Sequence, residues 1–210
     1  MDASVIYKYF TDLTPLQREQ VDKLGELYSQ WNEKVNVISR KDIDNLYPHH
    51  VLHSLAISRL FTPVTDTRLL DLGTGGGFPG IPLAIIWPDC HFHLIDRIGK
   101  KINVAKAVAA ELGLTNVTFQ HGDAGECHEK FDFIVSRAVT DLDKLVPMAR
   151  KNISPRQRNK LHNGLICLKG GDLQNEISRI GKKDNILEQP LAEWFEEPFF
   201  ETKKLIYKPL

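Results

Sequence analysis

A run of glycines between residues 73 and 80 is the part of the sequence best suited to hold a ligand. The stretch from 71 to 80 reads DLGTGGGFPG and follows a short apolar segment. Glycine lets the backbone turn sharply, and the absence of side chains lets its amide groups come close to a bound molecule. The candidate ligand-binding positions in this turn are Gly73, Gly75 and Gly77.

Polar or glycine-containing segments also follow the other predicted strands. Asp96 comes about 20 residues after the glycines, where an acidic side chain suits the hydroxyls of a ribose. Ala124 and Gly125 follow the third strand, where an adenine edge can be read, and Arg137 and Lys169 follow the fourth and fifth. Open α/β sheets bind ligands at the carboxyl ends of their strands. The pattern therefore predicts a nucleoside site with room for a second substrate.

The register of the glycines separates two classes of nucleotide-binding enzyme. Residues 75–80 satisfy the GxGxxG pattern, but NAD enzymes begin that pattern directly after the strand and continue into a helix without proline. Here the first glycine after the strand is Gly73, which gives GxGxG in register, and Pro79 and Pro82 interrupt the helix start. The register favours a methyltransferase and keeps a nicotinamide dehydrogenase as the alternative. Asp96 as a helix cap, and Arg137 and Lys169 as ion-pair partners, also stay open.

Composition and spacing indicate a chain without metal or membrane contacts. His49 and His53 would share a helix face, but spacing marks no third ligand, so no metal site is predicted. Three separate cysteines without CxxC spacing are typical of reduced, buried thiols. The sequence shows no apolar run of the roughly 20 residues that a membrane helix needs, and no secretory signal. We therefore expect a cytoplasmic protein.

The charge balance gives mixed information about nucleic acids. The chain carries 27 basic and 27 acidic residues, so its net charge of zero counts mildly against a nucleic-acid partner. The segment 150–160, however, contains five basic side chains and no acidic one. This segment is either a contact for RNA phosphates or a solvated surface loop, and the sequence leaves both interpretations open.

Two kinds of element are predicted to position these residues. Residues 1–63 form an N-terminal helical extension, with a capped helix starting at Thr14-Pro15 and a second helix over 49–60. From 64 to 210, strands at 68–72, 91–96, 116–120, 131–135 and 165–168 alternate with helical or apolar segments at 81–87, 100–112, 141–150 and 172–180. The tail suggests a hairpin between 199–200 and 205–207. Such alternation predicts an α/β fold with a doubly wound, mostly parallel sheet.

The sequence resembles the RsmG (GidB) family of 16S rRNA guanine-N7 methyltransferases. Residues 71–82, DLGTGGGFPGIP, are similar to the family signature, and the PGIP extension is more specific than the glycines. The other matching positions are Trp31, Asn32, Asn36, Ser39, His50, Ser54, Asp96, Gly99–Lys101, Ser136–Ala138 and Leu168–Gly170. The resemblance implies a class I, Rossmann-like methyltransferase domain, S-adenosylmethionine as cofactor, a cytoplasmic enzyme, and 16S rRNA or the small ribosomal subunit as partner.

The resemblance also implies roles for single residues. Gly73 and Phe78 lie beside the methionine portion of the cofactor, Ala124 and Gly125 at its adenine side, and Arg137 at the mouth of the pocket. The sequence departs from the family at two positions. The family commonly has an acidic residue where Gly125 stands, and often has Asp where His53 stands.

The implied chemistry needs little from the protein besides positioning. Guanine N7 carries a free lone pair, so no proton has to be removed before the methyl group is transferred. We expect Arg137 and Lys169 to orient the substrate, and His50 or Lys100 to contact RNA. The alternatives are a methyltransferase acting on another RNA, a protein or a small molecule, a NAD-dependent oxidoreductase, and a non-catalytic ribosome-assembly factor. The oligomeric state stays open.

Overall fold

The computed structural model describes residues 2–137, 139–180 and 185–210. Its strands are β1 (Arg68–Leu72), β2 (His91–Asp96), β3 (Val117–His121), β4 (Phe133–Arg137), β5 (Gly164–Gly170), β6 (Leu187–Pro190) and β7 (Lys203–Pro209). They form one sheet in the order β3-β2-β1-β4-β5-β7-β6. Strands β1 to β5 pair in parallel, while β7 runs antiparallel to both β5 and β6. The predicted doubly wound, mostly parallel sheet is confirmed.

Helices cover both faces of this sheet. They are α1 (Ser4–Tyr9), α2 (Pro15–Lys34), α3 (His53–Leu55), α4 (Gly80–Ile86), α5 (Gly99–Glu111), α6 (Leu142–Arg150) and α7 (Gln174–Arg179). Helix α2 begins as predicted, with a capping box in which Thr14 and Gln17 satisfy each other's backbone amides. Residues of α2, α4 and α5 pack with one face of the sheet in a single hydrophobic cluster. The boundary at residue 63 stays a prediction, since the N-terminal helices share this core with the sheet.

The second predicted helix differs from the structure in its length and type. Instead of one helix over 49–60, the chain runs through a 3₁₀ turn (Ile43–Asn45), a π-helix (Leu46–Leu52), α3, and another 3₁₀ turn (Ala56–Arg59). We call these four elements together the mixed helical segment. Pro48 lies inside the π-helical part. Proline lacks the amide hydrogen that a regular helix needs there, which is consistent with the irregular winding.

The predicted terminal hairpin is wrong in its first strand. Phe199 and Phe200 lie in a 3₁₀ turn (Pro198–Thr202), whereas β7 pairs with residues 187–190 on one side and with β5 on the other. Pro198 stands at the first position of that turn, where its fixed φ favours helical backbone. Helix α1 was not predicted.

The three cysteines are free and buried, and burial raises the pKa of Cys90 and Cys167 to about 12.

Candidate active site at the carboxyl edge of the sheet

The strand order reverses between β1 and β4, and the glycine turn lies at this switch point. The amides of Gly73 and Thr74 both donate to the carbonyl of Ile95 at the end of β2, at 2.9 and 3.1 Å. Beneath the turn, Oδ2 of Asp71 accepts hydrogen bonds from Thr74 Oγ1 at 2.6 Å and from the amide of Gly80 at 2.7 Å. Burial raises the pKa of Asp71 to about 7. The carboxyl group thus fixes both ends of the turn from inside the protein.

Three glycines of the turn have positive φ angles, but their surroundings differ. A Cβ atom at Gly73 (φ +73°) would lie 2.6 Å from Val139, and one at Gly77 (φ +110°) would lie 2.5 Å from Ile81. At Gly75 (φ +59°) a Cβ atom would meet nothing within 4 Å. Gly73 and Gly77 therefore allow close packing of the protein, while Gly75 borders open space that a ligand can fill.

Asp96 stands beside this open space at the end of β2. Its Oδ2 accepts from the amide of Gly75 at 2.8 Å, and its Oδ1 accepts from the amide of Ile98 at 2.8 Å. A carboxylate oxygen has two lone pairs, so each oxygen can accept one further hydrogen bond. Asp96 thus holds the turn and keeps acceptor capacity for a pair of hydroxyls.

A cavity of about 790 Å³ extends along this edge of the sheet. Of the residues predicted for the site, it is lined by Gly73, Gly75, Phe78, Asp96, Ala124, Arg137 and Lys169. Gly77 and Gly125 are described but lie outside the lining, and the amide of Gly125 bonds to Asp123 Oδ1 at 2.8 Å. Ala138, which belongs to the matched motif, falls outside the described residues.

The strand order divides the cavity into two ends. We call the part at β1, β2 and β3 the glycine-turn end, and the part at β5 and β7 the β5–β7 end. The β5–β7 end is lined by His53, Lys169, Gly170, Phe199 and Lys203. The end of β4 lies between the two, so a group on β4 can face both a ligand at the turn and a second ligand beyond it.

Arg137, at the end of β4, occupies that central position. Its Nη1 donates to the carbonyl of His49 at 3.3 Å, its Nη2 lies 3.0 Å from Nδ1 of His50, and its guanidinium stands 5.0 Å from the ring centre of Phe78. Burial lowers the pKa of Arg137 to about 10, which still leaves the group charged at neutral pH. The guanidinium is therefore held by one backbone carbonyl, one ring nitrogen and one aromatic face.

Asp42 orients the histidine that holds Arg137. Its two carboxylate oxygens lie 2.6 Å from Nδ1 of His49 and 2.7 Å from Nε2 of His50. Burial, and secondarily the charge of Arg137, lower the pKa of His50 to about 4. The neutral ring then donates Nε2–H to Asp42 and accepts from Arg137 at Nδ1. Both ring nitrogens of His50 are used within the protein, which leaves neither available for the predicted RNA contact.

Lys169 is committed to neighbouring elements. Its amine donates to the carbonyl of Thr140 at 2.8 Å and forms an ion pair with Glu176, and the side chain is 10% exposed. The same carboxylate of Glu176 accepts from the amide of Leu142 at 2.9 Å. Lys169 thus ties the end of β5 to the starts of α6 and α7, and its charge is paired with Glu176.

The basic segment 150–160 lies mainly at the other edge of the sheet. Ser154 bonds to the carbonyl of Phe131, and Asn159 accepts from the amide of Val64, so the loop lies where β4 and β1 begin. Arg158 donates to two backbone carbonyls ahead of β1. Arg156 and Lys160 are exposed. Residues 154–160 are therefore separated from the cavity by the length of the strands, whereas Lys151 donates to the carbonyl of Ala124, which lines the cavity, at 2.7 Å.

Several residues of the site were missed in the sequence. Asp42, Val37, Phe199 and Lys203 line the cavity. The hydroxyl of Tyr28 in α2 donates to the carbonyl of Gly76 at 2.8 Å. These residues come from distant parts of the chain and carry no local motif, so only the packing of the elements brings them to the turn.

In the described residues, no helix is long and apolar enough to span a membrane. Nor do those residues contain a group of three or more His, Cys, Asp or Glu placed to bind a metal.

Solved structures with this fold include proteins that bind S-adenosylmethionine. The structure of MtNAS in complex with S-adenosylmethionine aligns with a TM-score of 0.56 at 13% identity, covering 93% of this chain and 77% of that chain. A SAM-dependent methyltransferase from Aquifex aeolicus aligns with a TM-score of 0.51 at 16% identity, covering 74% and 88%. At these identities the likeness shows the fold alone.

Sequence relatives cover nearly the whole chain. Proteins named ribosomal RNA small subunit methyltransferase G are 56% identical in Bacteroides thetaiotaomicron, covering 98% of this chain and 99% of the relative, and 55% identical in Parabacteroides distasonis, covering 99% and 89%. The family model GidB, described as rRNA small subunit methyltransferase G, matches residues 17–190. The resemblance drawn from the glycine turn is thus confirmed, and the chain belongs to the family of rRNA small subunit methyltransferase G.

Proposed function

We propose that this protein transfers a methyl group from S-adenosylmethionine to N7 of a guanine in 16S rRNA, within the small ribosomal subunit or its precursor in the cytoplasm. Membership of the family supports the reaction class and the small-subunit RNA. The observation that carries the assignment to this chain is the open space at Gly75 beside Asp96, at the switch point of the sheet.

The residues at the glycine-turn end fit an adenosine with a sulfonium side chain. A turn of positive-φ glycines offers backbone close to the ligand at Gly73 and Gly75, and Asp96 has acceptor capacity for two ribose hydroxyls. Phe78 offers an apolar face, and Ala124 borders the adenine position. Gly77 shapes the turn, and Gly125 stays a prediction because it lies outside the cavity lining. When bound, S-adenosylmethionine supplies an electrophilic methyl group.

Guanine N7 suits the groups at the other end of the cavity. N7 attacks with an existing lone pair, so the protein has to hold the base rather than remove a proton from it. His50 is held between Arg137 and Asp42, and Lys169 is paired with Glu176. We assign the orientation of the substrate to Arg137 directly and to Lys169 through the Thr140 backbone that it holds. Placing two reactants in line can contribute about 7–11 kcal/mol.

The test is a map of N7-methylguanine in ribosomal RNA. A strain without the gene is compared with the same strain carrying either the wild-type gene or the Gly75→Asn variant. We expect one N7-methylguanine of 16S rRNA to disappear on deletion, to return with wild type, and to return to a smaller extent with Gly75→Asn. If the deletion strain and the strain that expresses the wild-type protein give the same map of N7-methylguanine, the substrate assignment is contradicted.

Calorimetry separates the remaining alternatives. We expect the purified protein to bind S-adenosylmethionine and not NAD; binding of NAD alone would favour the oxidoreductase. Binding of S-adenosylmethionine without methylation of any rRNA would favour an assembly factor or a methyltransferase with another substrate.

A further inference from the structure

Lys203 brings an uncommitted positive charge to the β5–β7 end of the cavity. It begins β7 and lines the cavity together with Lys169 and Phe199. The charge of Lys169 is paired with Glu176. The ammonium of Lys203, by contrast, forms no ion pair and no hydrogen bond within the part of the chain that the structure describes, where its contact is the ring of Phe199.

Two neighbours fix the position of this ammonium. Its Nζ lies 4.7 Å from the centre of the Phe199 ring, and His49 stacks on the same ring at 3.9 Å. Gly170 pairs with Lys203 across β5 and β7, and a Cβ atom at Gly170 would lie 3.2 Å from Nζ and 3.3 Å from Cδ of the lysine. The bare backbone of Gly170 thus makes room for the lysine stem, and the aromatic face attracts the charge. The ammonium is therefore placed in the cavity wall before a ligand binds.

The donors that this ammonium retains define its ligand. A lysine ammonium has three N–H donors and no acceptor, and an aromatic face attracts the charge without supplying an oxygen or nitrogen acceptor. An anionic group with several oxygens satisfies both the charge and the donors. The base of guanosine is uncharged at neutral pH, so the available anions are the phosphates of RNA and the carboxylate of S-adenosylmethionine.

The strand order distinguishes these two anions. The glycine turn follows β1, and β7 lies three strands further along in the order β1-β4-β5-β7. At about 4.8 Å per strand, the start of β7 is roughly 14 Å from the end of β1. A methyl acceptor lies between the two, so the anion nearest to Lys203 belongs to the acceptor RNA.

We propose that Lys203 binds a backbone phosphate of the RNA beside the target guanosine. This inference rests on the proposed function. Phosphate contacts set the position of a nucleic acid without reading its sequence. Lys203 thus holds the backbone of the target nucleotide, while Arg137 faces the base.

The first test compares variants of two adjacent lysines in β7. Lys203→Met removes the charge but keeps an unbranched side chain that packs on Phe199, and Lys203→Arg keeps the charge. Lys204→Met is the matched control, because Lys204 forms an ion pair with Glu188 and does not line the cavity. The substrate is 16S rRNA of the deletion strain, in small subunits or as free RNA, which lacks the methyl group.

We expect Lys203→Met to lower kcat/KM about tenfold or more, and to reduce the slope of log kcat/KM against log salt concentration by about 1. Lys203→Arg should retain most of the rate and the full slope, and Lys204→Met should match wild type in both. Affinity for S-adenosylmethionine should be equal in all four proteins. A loss of that affinity confined to the Lys203 variants would assign the lysine to the cofactor carboxylate and overturn the inference.

The second test removes the charge from the RNA instead. Synthetic RNA around the guanosine that the methylation map identifies carries an uncharged methylphosphonate in place of one phosphate at a time, on either side of that guanosine. At one of these positions wild type should lose about tenfold in affinity or more, whereas Lys203→Met should show no further loss there. Lys204→Met should lose as much as wild type.

The outcomes separate this inference from the proposed function. If Lys203→Met loses as much affinity as wild type at every substituted position, or if wild type tolerates every substitution, Lys203 has no phosphate partner. The inference is then overturned, and methylation at N7 stands. If wild type methylates no guanine of 16S rRNA, in subunits or as free RNA, the proposed function itself fails.

Discussion

Gly75 is the position where an added side chain would compete most directly with a cofactor for space. Its φ of +59° and its empty surroundings match those of Gly113 beyond the end of α5, where φ is +65° and a Cβ atom would also meet nothing within 4 Å. The two glycines therefore differ chiefly in what lies in front of them: the cavity for Gly75, and the end of a helix for Gly113.

We expect Gly75→Asn to weaken binding of S-adenosylmethionine by about tenfold or more, which is about 1.4 kcal/mol, because the new side chain enters the cavity. Gly113→Asn is the matched control. Asparagine tolerates positive φ, so each change should cost at most about 1 kcal/mol of folding stability. Calorimetry and denaturant titration measure both effects. Equal affinities in the two variants would contradict a cofactor at Gly75.

Asp71 should make stability depend on pH in an unusual direction for a carboxyl group. Burial raises its pKa from 3.8 to about 7, so between these values the folded chain keeps a proton that the unfolded chain releases. The contribution of Asp71 to the free energy of unfolding is thus complete below about pH 4 and is lost as the pH rises through 7.

Asp71→Asn isolates this contribution, because asparagine retains an oxygen for Thr74 and Gly80 but does not titrate. We expect the stability of wild type relative to the variant to fall between about pH 4 and pH 7 and to level off above that, as measured by denaturant unfolding. Parallel pH profiles would show that Asp71 is ionised throughout.

The residues that sequence reasoning found are those with local signals. The glycines, Asp96 and Arg137 each follow a recognisable strand, and the position of a strand end is enough to place them at the carboxyl edge. Asp42, His53 and Phe199 reach the same cavity through the packing of the mixed helical segment and the turn before β7. No spacing in the sequence encodes that contact, so these residues could not be assigned.

At the scale of elements, α2 holds the glycine turn through Tyr28. The ring is fully buried, packs 4.7 Å from Phe78, and its hydroxyl bonds to the carbonyl of Gly76. The alternation of strands and helices was predictable because each element buries an apolar face at its own period. The irregular winding around Pro48 and the pairing of β7 with β6 were not, since both depend on tertiary neighbours.

We expect Tyr28→Phe to lower the free energy of unfolding by about 1–3 kcal/mol, because the Gly76 carbonyl loses its partner, and to weaken cofactor binding by loosening the turn. Tyr47→Phe is the control: its hydroxyl bonds to the backbone of Val21, Asp22 and Gly25, inside the N-terminal helices. It should destabilise the fold similarly while leaving cofactor affinity unchanged. A loss of affinity in both variants would mean that global stability, not the turn, governs binding.

At the scale of the whole molecule, cationic groups lie at both edges of the sheet. Lys101 and Lys144 line the cavity, whereas Arg156 and Lys160 are exposed in the loop before β5. Strands of five residues separate the two edges by roughly 17 Å, at about 3.3 Å per residue.

Two double variants that each remove two positive charges distinguish these surfaces. For a short single-stranded RNA, Lys101→Ala with Lys144→Ala should reduce the dependence of log affinity on log salt concentration by about 1 per lysine. Arg156→Ala with Lys160→Ala should leave that dependence unchanged. A reduced slope in the second variant would show that RNA at the cavity also reaches the opposite loop.

The two ends of the cavity have separate origins in the chain, and this has an evolutionary consequence. The glycine-turn end is built from β1, β2 and β3 with their loops and is held by α2 through Tyr28, while the β5–β7 end is walled by the mixed helical segment and the turn before β7. Mutations at His53, Phe199 or Lys203 can therefore change which methyl-accepting substrate fits the cavity without altering the groups around Gly75 and Asp96. Such an arrangement lets new substrates be sampled by drift while methyl-donor binding is inherited intact.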